Sequence, residues 1–218
     1  MKITFRRHLA AASVAVSLLA VVTACSTTAP HSASGVVPAN IAPAPTAGTQ
    51  AGAVKKVHSP GIVAIDEQLT ASQCSARVVD AALGQYLPDP ACTPGATDPS
   101  ITQDNIGSTI CKSGYTATVR PPASATDKIK QESLREYGQN TVHTTEYDHL
   151  ISLELGGTNS VSNLWPEPNQ NGATGTTNPK DAVENTLHKA VCDQKVKLTD
   201  AQNAIAHDWV TALKDLGL

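Results

Sequence analysis

The sequence predicts a small α+β protein: a short β-hairpin followed by a helix, surrounded by further helices and braced by disulfides. Three observations predict it. Residues 147–153 alternate in bulk, Gly156-Gly157 marks a turn, and residues 161–165 read as a returning strand closed by Pro166. Residues 179–192 open with helix-start chemistry and place Val183, Leu187 and Val191 at helical spacing. Cys74, Cys92, Cys111 and Cys192 form an even set once Cys25 is assigned elsewhere.

Residues 1–24 carry Lys2, Arg6 and Arg7 and then an apolar run, and end Val22-Thr23-Ala24-Cys25. That is the pattern of a secretory signal with a lipobox. It predicts cleavage before Cys25, lipidation of that cysteine and anchoring on the outer side of a bacterial membrane, where more than one acyl chain makes attachment stable. Ordinary secretion is the alternative. Residues 25–60 are dominated by Ala, Pro, Thr, Ser and Gly and read as a disordered tether. Residues 61–218 suit one compact domain.

The only Phe and the only Met lie in the leader, so the mature core rests on Leu, Ile, Val and Ala with two Trp and four Tyr. An exported domain with so thin a core is where disulfides help. Four cysteines allow three pairings, of which we expect Cys74–Cys92 and Cys111–Cys192. A zinc site is the rival reading, but the chain has no CxxC pair. Loss of the leader removes three of 16 cations and none of 19 acids, leaving a net charge near −6. Broad capture of nucleic acid by phosphate neutralisation is disfavoured, and binding falls to local cations: Arg120, Lys128, Lys130 and Lys180.

Along the domain, residues 71–83 read as a helix stopped by Gly84, residues 87–99 as a loop, and residues 115–119 as a strand ending at Pro121-Pro122. A helix is expected over 126–137, capped by Thr126 and stopped by Gly138. Asn178 is placed to cap the helix of 179–192, with Pro179 at its first position and Asp181 at its positive end. A last helix starts at Thr199, with Gln202 as capping-box partner. His31, His58, His143 and His207 have no paired-ligand pattern and read as surface histidines, and Trp165 reads as core.

The stretch EYDHLISLELGGTNSVSNLWPEP, residues 146–168, carries Asp148-His149, the Gly-Gly pair and Asn163-Leu-Trp-Pro, and KDxxExxLH follows on the helix. In this order the segments resemble the HNH, or ββα-metal (His-Me finger), nucleases, and the flanks from about 87 to 209 resemble a bacterial group of exported HNH-type proteins. The resemblance implies a finger core over 145–192, with His149 as general base, Asp148 as a metal ligand and Asn163 in support. The compact spacing of the family is broken by the loop of 169–177, which leaves Asn178, Glu184 and His188 as candidates to complete the metal set, the related nonspecific nucleases suggesting Asn178 as the ligand. Glu184 is then the residue that orients a metal-bound water. Arg120 could clamp phosphate.

Hydrolysis of a phosphodiester needs a deprotonated water and charge stabilisation, roles suited to a neutral imidazole and a divalent cation, with Mg expected and Mn, Ca or Zn as alternatives. Adjacent strand residues point to opposite faces, so Asp148 and His149 can reach one phosphate only if the strand twists strongly or ends there. The expected function is a monomeric, membrane-anchored, metal-dependent endonuclease with little sequence preference, acting on DNA, with RNA as a further substrate. A non-catalytic envelope lipoprotein using the finger as a binding scaffold is the alternative.

Overall fold

The computed structural model describes residues 53–139, 145–173 and 178–218, so the leader, Cys25, His31, His143 and most of the tether lie outside the described residues. Mixed helices and three two-stranded sheets make an α+β architecture. Strand β1 (Lys55–Lys56) pairs in parallel with β4 (Ala96–Thr97), β2 (Arg77–Asp80) antiparallel with β3 (Gln85–Leu87), and β5 (Thr145–His149) antiparallel with β6 (Leu164–Pro168). Helices α1 (Tyr115–Val119) and α2 (Ala123–Glu136) precede β5, and α3 (Lys180–Cys192), α4 (Leu198–Asp208) and α5 (Ala212–Asp215) follow β6. None of the described helices is long and apolar enough to cross a membrane.

The main core gathers Ile106, Ile151, Leu155, Leu187, Val191, Leu198, Ile205 and Trp209, from the segment before β5, the β5–β6 connection, α3, α4 and the turn after it. A second cluster packs Trp165 with Tyr86, Tyr137 and Leu150, the Tyr137 and Trp165 rings lying 6.0 Å apart. Trp209 is buried because its indole N–H reaches Tyr86 O at 2.7 Å, leaving no unsatisfied donor there. Both expected disulfides form, Cys74–Cys92 and Cys111–Cys192. The second closes a loop with a separation of 81 residues, which in a chain-entropy account stabilises the fold by about 4.5 kcal/mol.

Several local expectations are corrected. Residues 71–83 hold no helix. Val78 and Val79 favour a strand, and Asp80 turns the chain by accepting bonds from the amides of Ala82 and Leu83, with Gly84 at φ 69°. Residues 115–119 form a helical turn instead of a strand, started by left-handed Gly114 and closed by Arg120 N on Thr116 O. Helix α2 begins at Ala123, so Thr126 is no cap: its hydroxyl donates to Ala123 O within the first turn. Gly138 does stop it, at φ 62°.

The β5–β6 connection is not a tight Gly-Gly turn. It runs from Leu150 to Asn163 through a 3₁₀ turn at Leu153–Leu155, and β6 continues through Pro166 to Pro168. Proline is tolerated because, among the described residues, this sheet has two strands, so each has an outer edge without a ladder. Thr199 and Gln202 form no capping box. Gln202 is buried and donates to Leu155 O, while Gln103 supplies the acceptor for Leu198 N. Residues 55–56, placed by composition in the tether, belong to the fold.

Candidate functional site

The pleat of β5 sorts its side chains into two neighbourhoods. Tyr147 and His149 line a cavity of about 220 Å³ together with Arg120, Pro121, Ala123, Thr126 and Leu164. Glu146 and Asp148 are bonded instead by the start of α3, through Asn178 and Lys180. The adjacent Asp148 and His149 therefore serve different environments, as strand alternation requires.

His149 is 8% exposed, and its Nε2 lies 2.9 Å from Asn159 Oδ1. The Asn159 amide cannot be flipped without loss, because its Nδ2 donates to both Ser59 O and Val119 O at 2.8 Å. Its oxygen must face the ring, so Nε2 carries the hydrogen and Nδ1 the lone pair of the neutral imidazole. Burial pushes the His149 pKa down to about 4, with Asp148 and the Asn159 bond opposing and Arg120 and Lys180 adding to the depression. The ring is thus neutral at physiological pH. Asn159 was not singled out from sequence, since one Asn in a polar loop carries no signal of its partner.

Asn163 is fully buried and staples the long connection. Its Oδ1 accepts from the amides of Ala96 and Ile151, and its Nδ2 donates to Ile151 O and Thr158 O. All four capacities of the amide are used on backbone, which gives it a supporting role and no free group for chemistry.

On the other face of β5, Lys180 is fully buried. Its ammonium donates to Asp148 Oδ2 at 2.6 Å, to His149 O at 2.7 Å and to Glu184 Oε1 one helical turn along. Burial opposes its charge, but Asp148, Glu184 and Glu167 outweigh that and hold it protonated. Burial likewise raises Asp148, yet the Lys180 charge and hydrogen bond win and keep it ionised. Burial lifts Glu184 to about 8 against the pull of Lys180. Glu167 is fully buried, and neither of its oxygens meets a donor. Burial first, then Asp148, raises its pKa well above the usual range. Protonated, it becomes the donor in its contact with Asp148, which gives one of its two oxygens a partner.

Each residue expected at the metal site has another partner. Asp148 is engaged by Lys180. Asn178 donates to Glu146 Oε2 at 3.1 Å and accepts from the Asp181 amide at 3.3 Å, the contact of a helix cap. His188 lies against Ile110 O at 2.9 Å, with Glu154 3.7 Å from its other nitrogen. Glu184 bonds Lys180. Among the described residues, the two clusters with metal-ligand composition each contain both sulfurs of a disulfide, so neither offers thiolates. With these side chains engaged elsewhere, the donor set does not fit a divalent ion.

Of the expected phosphate cations, Arg120 is exposed at the cavity of His149. Lys130 bonds Thr145 O, Lys128 pairs with Glu132 on the surface, and Lys180 is buried. His58 packs its Nδ1 on the Asp98 carboxylate at 2.9 Å. No protein-family model, curated protein or solved structure matches the chain.

Proposed function

We propose that this protein is an endonuclease that hydrolyses phosphodiester bonds of DNA, with RNA as a further substrate, and that β5, β6 and α3 are its HNH-type finger. One observation carries the reading: a neutral imidazole with a defined lone pair lines the same small cavity as an exposed arginine and the first turn of α2. A phosphate there would meet Arg120 and the positive end of a 14-residue helix. His149 Nδ1 takes a proton from water, the water oxygen bonds to phosphorus, and the departing ester oxygen leaves with a proton from solvent. On the same reading the protein works outside the cytoplasm, held to the membrane through a lipidated Cys25.

Nicking of supercoiled plasmid by the purified protein tests the proposal. His149→Ala should stay folded with both disulfides, at a lower melting temperature because a buried ring and the partner of Asn159 are lost, and lose roughly 10²- to 10⁴-fold in rate. A wild type that cuts neither DNA nor RNA under any cation condition would sink it. That result would leave the envelope scaffold, a reading favoured by the neutralisation of Asp148 by Lys180.

A further inference from the structure

In nucleases of the kind proposed above, the carboxylate beside the catalytic histidine is expected to bind a metal ion. Here Asp148 and Glu184 are both ion-paired to a fully buried ammonium, and the buried Glu167 acts on it only through its charge. An ammonium has three hydrogens, and Lys180 spends them on Asp148, Glu184 and the carbonyl of His149. Its coordination is complete. A divalent ion entering this cluster would have to expel the ammonium from a place where it has no exposed surface, leaving a buried lysine without partners.

We propose that Lys180 is the resident cation of the site: its ammonium takes up Asp148 and Glu184, the carboxyl groups beside His149 that a divalent ion would need, so the protein binds no metal there and His149 acts without one. Lys180 excludes the metal whether or not the protein is an endonuclease. Metal-free action of His149 rests on the endonuclease reading. Lys180 also acts as a positioning residue, since its bond to the His149 carbonyl fixes the end of β5 from which the imidazole projects.

The test is a titration of the full chain with Mn²⁺, followed by electron paramagnetic resonance and by melting temperature. Wild type should show no saturable binding at millimolar Mn²⁺, and chelator should leave its melting temperature unchanged. Lys180→Ala, which empties the position and keeps the carboxyl groups, should gain one Mn²⁺ site and melt higher with the ion. Adding Asp148→Asn should remove that gain. Should Lys180→Ala fail to fold, the wild-type titration and Asp148→Asn alone still decide. Stoichiometric Mn²⁺ binding by wild type that Asp148→Asn abolishes would overturn the assignment.

Plasmid cleavage supplies the second arm. Cleavage that persists in chelator and disappears in His149→Ala upholds both statements. Cleavage only with a divalent ion, lost in Asp148→Asn, overturns the proposal while the endonuclease reading survives. A wild type that binds no Mn²⁺ and cuts nothing overturns the endonuclease reading and upholds the place of Lys180.

Discussion

Asn159 turns its amide oxygen to His149 Nε2 at 2.9 Å while two backbone carbonyls hold its nitrogen, so a loop residue ten positions downstream sets which imidazole nitrogen is basic. Because burial holds the ring near pKa 4, cleavage should be independent of histidine titration from about pH 5 upward, instead of declining near the usual 6.5. Asn159→Asp places a carboxylate against Nε2, favours the imidazolium and should move the acid limb to higher pH. Proton NMR titration of the ring checks both. An unchanged His149 pKa in Asn159→Asp would remove Asn159 from this role.

Removing one member of the buried Lys180–Asp148 pair should cost far more than removing both. Lys180→Met leaves Asp148 without its cation and should destabilise by about 3–5 kcal/mol. Lys180→Met with Asp148→Asn should recover a large part of that loss. Urea unfolding of the two single variants and the double variant measures the coupling, and additive losses would show that the pair is not a unit.

Stability should fall as pH rises above 6.5. Glu136 and Glu146 are raised to about 7 and Glu184 to about 8, all chiefly by burial, from an ordinary 4.5. A carboxyl raised in the folded state contributes stability that is complete below 4.5 and is lost as pH climbs through its folded pKa. His149, lowered from 6.5 to about 4, works the opposite way, but only between those values. Above 6.5 the carboxyls act alone. Melting temperature should therefore decline toward pH 8 in wild type and decline less in Glu136→Gln.

The long β5–β6 connection depends on two positions. Asn163→Ala strands four buried backbone groups and should cost about 3 kcal/mol or more. At Gly157 a Cβ would fall on the carbonyl oxygen of Ile151, a backbone atom that cannot step aside. Gly157→Ala should consequently lose the cooperative thermal transition, whereas alanine at Gly107, where a Cβ meets open space, should keep it.

Signals carried by local backbone chemistry were the legible ones. Pro179 and Asn178 marked the start of α3, Gly138 the end of α2, and the cysteines paired as expected. The failures came where a short segment suited two periodicities. Val78 and Val79 fit a helix or a hairpin, and Tyr115 to Val119 fits a strand or one helical turn. The site was legible only in part because its decisive contacts are long-range. Lys180 looks like any lysine on a helix until β5 brings Asp148 to it across 32 positions. Nothing in a Pro-Glu-Pro strand shows that Glu167 is fully enclosed.

The Cys111–Cys192 bridge encloses Arg120, Asp148, His149, Asn159, Asn163, Glu167, Lys180 and Glu184 within one covalent ring. A protease that cuts a single peptide bond inside that ring opens the loop but releases no fragment. The nicked molecule should keep its intact mass, plus one water, until a reductant divides it in two. For a protein proposed to work outside the cell, one backbone cut need not separate the base from its surroundings.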